Sequence, residues 1–298
     1  MSYCLNPNCS RPQNPKGNKF CQNCGTKLLL IERYRAIKLI GAGGFGRTLL
    51  AEDESQLSKP YCVIKQFYPH RQNDPGKAAE LFQREAMRLE QLGKHSQIPE
   101  LFAHFEQDSR QYIVQEYIDG QNLAEELAET GALGEKQIRS LLSDLLPVLQ
   151  FVHAGGVVHR DIKPENIIRR RSDRKLVLVD FGAAKKYATK MSLGKAGTNI
   201  GAAGYAAPEQ LFGKAMFASD IYSLGVTCIH LLTHIEPLDL FDPLESAFVW
   251  RDYTVNNPLS DRLGRILDKM TQSMVRQRYQ SVSQVMQDLE ISGATSTA

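Results

Sequence analysis

The sequence has one tryptophan, six cysteines and a net charge of only +3 at pH 7 over 298 residues. A balance so close to neutral argues against a basic nucleic-acid binder. A composition 42% hydrophobic and 23% charged excludes disordered and collagen-like chains. No apolar run approaches the ~18 residues that a membrane-spanning helix needs. Asn6, Asn8, Arg11 and Lys16 stand where an export signal requires an apolar stretch, so the expected location is cytoplasmic. The length, about twice that of an ordinary domain, suits one large two-lobed domain or two smaller ones.

The charge and the thiols are unevenly distributed. Arg11, Lys16, Lys19, Lys27 and Arg33 oppose Glu32 alone, so the first 33 residues net +4 and the remainder −1. Four of the six cysteines (Cys4, Cys9, Cys21, Cys24) lie in the first 24 residues, spaced C-x4-C-x11-C-x2-C. In a reducing compartment this pattern suits one tetrahedral thiolate zinc site, with Gly25 letting the backbone wrap behind the second pair. A segment of about 30 residues, broken by Pro7, Pro12, Pro15, Gly17 and Gly25, needs such a staple to be ordered. Four thiolates on Zn²⁺ carry a net −2, which the surrounding Lys and Arg offset. The alternative is a reversible dithiol–disulfide switch. Cys62 and Cys228 lie in apolar surroundings and are expected in the core. Helical or strand patterning is expected only after Leu28-Leu29-Leu30-Ile31.

Leu39-Ile40, the glycine-rich Gly41-Ala42-Gly43-Gly44-Phe45-Gly46, and Thr48-Leu49-Leu50-Ala51 read as strand, turn, strand. Apolar and β-branched residues after the glycines argue against a dinucleotide-binding helix and for a hairpin flap over phosphates. Cys62-Val63-Ile64-Lys65 is an apolar strand ending in a lysine, an inward charge that needs an anion. Residues 77–93 have Leu81, Phe82, Ala86, Leu89 and Leu92 at helical spacing, with Glu85 inside that stripe and Glu90 outside it. A Lys65–Glu85 pair follows, placing the ammonium for phosphates.

His159-Arg160-Asp161-Ile162-Lys163-Pro164-Glu165-Asn166 comes next, then Asp180-Phe181-Gly182 after an expected strand over Leu176–Val179, then Ala207-Pro208-Glu209. With these in order, residues 34–291 resemble the eukaryotic-type (Hanks-type) serine/threonine protein kinases of bacteria. The cysteine leader resembles that of the cyanobacterial members. The resemblance implies an α+β bilobal kinase fold. Its expected parts are a zinc-ribbon-like segment over 1–30, a β-rich N-lobe over 34–118, a helical C-lobe over 120–291 and a polar tail over 292–298, with ATP in the cleft between the lobes.

The same resemblance assigns roles. Asp161 accepts the hydrogen bond of the substrate hydroxyl, Lys163 neutralises the moving γ-phosphoryl, and Lys65 with Glu85 positions the phosphates. Gly41, Gly43 and Gly46 cover the nucleotide, and Val63 and Ile168 pack the adenine. The backbone of Glu116 and Ile118 binds its edge, and Gln115 takes the gatekeeper place. Asn166 and Asp180 hold Mg²⁺, or Mn²⁺ in its stead. Asp220, read as preceding a helix over Ile221–Leu232, braces the catalytic loop, and Glu209 pairs with Arg278. Arg160 is expected to bind an activation-segment phosphate, with Thr198 as acceptor ahead of Thr189 and Ser192. The cysteine segment is a second expected point of control.

Three departures from the family pattern are Thr48 for valine, Val63 for alanine and Ala202 for threonine, the last expected to slow catalysis. The expected partners are ATP and protein substrates, without nucleic acid or membrane. The alternative reading is a weak or inactive pseudokinase scaffold. The basic run Arg169–Lys175 reads as a solvated hairpin tip rather than a nucleic-acid patch, and His159 as a structural loop member. Leu141, Leu142, Leu145, Leu146, Leu149 and Val152 read as a core helix stripe.

Overall fold

The structure is a computed structural model that describes residues 1–43, 46–68, 75–181, 204–255 and 257–291. The chain divides into two compact units: Met1–His95 with Pro99–Ile118, and Ser96–Ile98 with the chain from Asp119 onward.

The first unit is built on β1 (Ser2–Tyr3), β2 (Gln13–Asn14), β3 (Leu29–Leu30), β4 (Tyr34–Gly43), β5 (Gly46–Asp53), β6 (Tyr61–Phe67), α1 (Pro75–Leu92), β7 (Leu101–Gln107) and β8 (Arg110–Glu116). Six of the strands form one antiparallel sheet in the order β3-β4-β5-β6-β8-β7. Alternation along β5 turns Arg47, Leu49, Ala51 and Asp53 inward. The two faces of the sheet meet different elements. Phe82 and Ala86 of α1 pack with Ile113 on one face. On the other, Leu5 joins Leu30, Tyr34, Ala36, Leu49, Ala51, Ile64 and Val114. Antiparallel sheets commonly leave a face in water; here the cysteine segment covers it.

That segment also holds β1 and β2, which pair with each other. Regular structure therefore begins well before Leu28, correcting the sequence expectation. Two-residue strands are too short to leave a periodic signal. Helix α1 begins with Pro75 at its first position, where the missing N–H costs nothing, and Gly93 follows its last residue in the left-handed region (φ 61°).

The second unit contains β9 (Gly120–Asn122), α2 (Leu123–Thr130), α3 (Glu135–Ala154), β10 (Ile167–Arg170), β11 (Leu176–Leu178), α4 (Pro208–Leu211), α5 (Phe217–Thr233), α6 (Pro237–Leu240), α7 (Asp261–Met270) and α8 (Val282–Leu289). Asn122 caps α2 by accepting from the N–H groups of Ala124 and Glu125. The stripe of α3, including Leu142, Leu146 and Val152, is buried as expected. Helix α5 is buried from Ala218 through Leu232, so it is the axis of this unit.

The basic run lies at the β10–β11 turn, where Arg169, Arg170, Arg171 and Lys175 meet Glu126, Asp173, Asp119 and Asp144 respectively. Paired in this way, it is not a free cationic patch. Cys62 and Cys228 are buried, and burial pushes the Cys62 thiol up to about 12.

Candidate active site and thiol cluster

In the first unit, Lys65 lies opposite Thr48 in the β5–β6 register, and its ammonium pairs with the Glu85 carboxylate of α1. Glu85 is 5% exposed, so the pair sits inside the structure and not on its surface. Glu90 on the same helix is exposed. Gly46 is required sterically, since a Cβ there would come within 2.0 Å of the Gln66 carbonyl oxygen. Gly41 is not: a Cβ would meet nothing nearer than Thr48 Cβ at 3.6 Å. At the end of β8, Gln115 is buried, and Glu116 donates its N–H to Glu100 O at 2.9 Å and accepts from Glu100 N–H at 3.2 Å. Val63 and Ile118 are both buried.

In the second unit, Asp161 is held in place by main chain and side chain together. Asn166 Nδ2 donates to Asp161 Oδ2 at 2.9 Å and to its main-chain oxygen at 2.8 Å. Lys163 Nζ lies 3.6 Å from Asp161 Oδ2. Asp220 Oδ2 accepts from His159 N–H and Oδ1 from Arg160 N–H, each at 2.8 Å. Arg160 has φ 76°, a strained region for a residue with a side chain. Gln210 Nε2 donates to the Arg160 carbonyl, so this peptide is clamped from both sides. Asp180, also left-handed at φ 66°, follows Val179, whose N–H donates to Asn166 O at 2.9 Å. His159 is fully buried, holds Val179 O at 3.1 Å and packs edge-on to Phe181. Burial lowers its pKa, keeping the ring neutral as a structural link. Ile168 sits on β10 opposite Val177 of β11.

The four cysteine sulfurs lie within 4.8 Å of one another. Cys4 and Cys24 Sγ are 3.5 Å apart and Cys9 and Cys21 Sγ 3.7 Å. Four thiolates at ~2.3 Å around one tetrahedral ion would stand ~3.8 Å apart, so the donor set fits zinc. Hydrogen bonds to sulfur fit thiolates too: Asn6 N–H to Cys4 at 3.4 Å, Asn14 Nδ2 to Cys21 at 3.5 Å and Asn23 Nδ2 to Cys9 at 3.4 Å. Burial pushes the Cys4 thiol up. Desolvation acts the same way on Cys24, but hydrogen bonds with Thr26, Cys4 and Cys9 together outweigh it and bring that thiol down to about 6.

A family model described as the protein kinase domain matches residues 34–289. The chain belongs to the protein kinase family. Serine/threonine-protein kinase B of Synechocystis sp. is 41% identical over 98% of this chain and 52% of its own length. That share is too large to omit the cysteine segment. Serine/threonine-protein kinase PknA of Nostoc sp. is 41% identical over 88% of this chain and 48% of its own. The chain thus spans about half the length of the curated relatives it matches. In fold it resembles the Mycobacterium tuberculosis PknI kinase domain, with a TM-score of 0.66, 22% identity, and coverage of 86% of this chain and 95% of that one.

Glu209 meets Arg278 at 2.7 Å, the kinase-domain pair anticipated from sequence. Asp220 lies inside the first turn of α5 rather than before the helix. The apolar run beginning at Ile221 hid that turn. Sequence reasoning missed several supporting residues: His153, whose Nε2 is 2.9 Å from Asp220 Oδ2; Gln210; and Ser219, which donates to Glu209 at 2.6 Å. Ser219 left no signal in the sequence, because it precedes the apolar run that begins at Ile221 and only the fold buries it. Sequence reasoning also missed Arg47, a cation alternating with Leu49 and Ala51 on β5, by the same inward-charge logic that singled out Lys65. Thr189, Ser192, Thr198, Ala202 and Gly182 lie outside the described residues, as do Gly44 and Phe45. Among the described residues, no helix is long and apolar enough to cross a membrane.

Proposed function

We propose that this chain is an active cytoplasmic serine/threonine protein kinase that transfers the γ-phosphoryl group of ATP to protein hydroxyls. The observation that carries this reading is the Asp161 carboxylate, oriented by Asn166 with Lys163 3.6 Å away. Phosphoryl transfer proceeds through a loose transition state, so the protein supplies mainly position and countercharge. Asp161 accepts the hydroxyl proton of the substrate, and Lys163 offsets charge on the transferred group. Lys65, steadied by Glu85, holds phosphate oxygens. Gly41, which the protein's own packing does not require, lets the backbone approach them closely. Gly43 and Gly46 complete that flap. Val63, Ile168 and the backbone of Glu116 and Ile118 receive the adenine. Asn166 and Asp180 supply the hard oxygen ligands for Mg²⁺, which neutralises phosphate charge when bound.

At the thiol cluster, Cys4, Cys9, Cys21 and Cys24 would hold structural Zn²⁺ over a zinc-ribbon-like segment, supported by the spacing of the sulfurs. Arg160 would receive the phosphate of Thr198. Its Nε is buried with no hydrogen-bond partner among the described residues, which supports an anion arriving there. The scaffold alternative has no support, since Lys65, Asp161, Asn166 and Asp180 are all present and the relatives are named as kinases.

The test is phosphate transfer from ATP·Mg²⁺ to the chain itself and to a generic protein substrate, with Asp161→Asn as control and mass-spectrometric site mapping. Incorporation abolished in the control supports the reading. Incorporation equal in both overturns it, and phosphorylated active protein lacking phosphate on Thr198 removes that assignment.

A further inference from the structure

The sheet of the first unit carries a buried cation that phosphoryl transfer does not use. Arg47 follows Gly46 on β5, Gln66 follows Lys65 on β6, and the two are register partners. Strand alternation turns their side chains to the face opposite Lys65. There Arg47 is 9% exposed and Gln66 fully buried. Arg47 Nε and Nη2 both donate to Gln66 Oε1. Arg47 Nη2 and Gln66 Nε2 then converge on one main-chain oxygen, that of Leu5, each at 2.8 Å. Gln66 Nε2 also reaches Tyr112 Oη at 3.0 Å.

Leu5 is the residue after the first cysteine of the cluster, and its flanking peptides are tied down. Cys4 N–H donates to Pro12 O at 2.7 Å, and Asn6 N–H donates to Cys4 Sγ at 3.4 Å. The Leu5 side chain meanwhile fills the sheet core beside Leu49 and Ile64. The thiol cluster therefore determines where the Leu5 carbonyl stands. A buried guanidinium whose acceptors are neutral depends on each of them.

We infer that Arg47 and Gln66 are positioning residues that latch the thiol segment to the strands carrying Gly46 and Lys65, so that metal held by the four cysteines sets nucleotide affinity. The inference rests on the zinc and kinase readings proposed above. If the thiol segment loosens, Arg47 and Gln66 lose an acceptor on an apolar face and the β5–β6 ladder must adjust. Gly46 packs so tightly on the Gln66 backbone that a shift there moves the end of the glycine flap and the neighbouring Lys65 together.

The experiment uses the 298-residue chain as purified, with zinc quantified by elemental analysis. ATP KM and kcat are measured alongside the rate at which zinc passes to a chromogenic chelator. Loss of a hydrogen bond from a charged group predicts that Arg47→Met raises ATP KM about 10-fold with kcat within about twofold. Zinc release should accelerate by a similar factor, about 10-fold. Arg47→Lys, which keeps a donor for the Leu5 carbonyl, should recover most of both. Zinc-stripped wild type should share the raised KM, and Arg47→Met should add nothing to it. Gln66→Leu provides the same comparison, in the same direction, if Arg47→Met does not fold. An unchanged ATP KM in a zinc-loaded variant overturns the latch, as does a raised KM with unchanged zinc release. Wild type that purifies without zinc sinks the metal reading itself, whatever Arg47 does. Absence of phosphoryl transfer in wild type defeats the kinase reading separately.

Discussion

Arg278 Nη1 stands 2.7 Å from Glu209 Oε1, with the guanidinium side chain wholly shut off from water. The same guanidinium donates to Ala218 O at 2.9 Å and lies over the Tyr222 ring. It thereby ties α4 to α5 and to the segment before α8. Breaking a buried pair leaves an uncompensated charge, so Arg278→Met should cost about 3–5 kcal/mol of stability. Urea unfolding of the variant checks this, and a loss under about 1 kcal/mol would place the pair among ordinary surface bridges.

Acid should destabilise the chain in two stages. Burial holds His159 and His230 below the ordinary histidine range, so the unfolded chain binds their protons first. Their contribution is complete above about pH 6.5 and declines below it. Asp53, beside Arg33, and Glu54, beside Arg35, are held below the ordinary carboxylate range. Their contribution is present above about pH 4 and fades as pH falls through the lowered values. Urea midpoints measured from pH 8 down to pH 2 should decline first below about pH 6.5 and again below about pH 4; a flat profile between pH 8 and pH 5 contradicts the histidine assignment.

Asp220 holds the loop that leads into Asp161 through the N–H groups of His159 and Arg160. Its replacement by alanine should release a strained peptide and displace Asp161. A displacement of about 1 Å near the reacting atoms predicts a kcat loss of about 10²-fold. Binding of a non-hydrolysable ATP analogue should change little. Equal kcat in Asp220→Ala and wild type would show that the loop holds itself.

Replacing Asp161 by asparagine keeps the side chain's shape and its bond to Asn166 while removing the proton acceptor. Steady-state transfer should fall by about 10²–10⁴-fold with ATP KM nearly unchanged. A rise in KM with kcat preserved would assign Asp161 to binding instead.

For the thiol cluster, Cys21→Ser should reduce bound zinc from one equivalent to none and lower the thermal midpoint. Cobalt substituted into wild type should show the intense thiolate charge-transfer bands that four sulfur ligands produce. Retention of a full zinc equivalent in the serine variant would place the metal elsewhere.

Much of the site was legible because each element carried a residue that conflicts with its surroundings. Lys65 ends an apolar strand and Glu85 interrupts an apolar helix stripe, and two opposite charges so placed have one economical solution. Spacing marked Cys21 and Cys24 as one pair, since two residues between thiols suit one ion, while the convergence of all four sulfurs is seen only in the fold. The placement of Asp220 inside α5 was less legible, because the periodic apolar run starts one residue later.

The sequence by itself determined the kinase family, the order of the strands and helices bearing its motifs, and the identity of the charged and thiol residues. Only the tertiary structure decided that the cysteine segment lies on the sheet face opposite α1, with the Leu5 carbonyl as the shared acceptor of Arg47 and Gln66. Side-chain type and periodicity are written in the chain. A main-chain carbonyl is the same at every position, so which one a buried cation finds is settled only when distant segments pack.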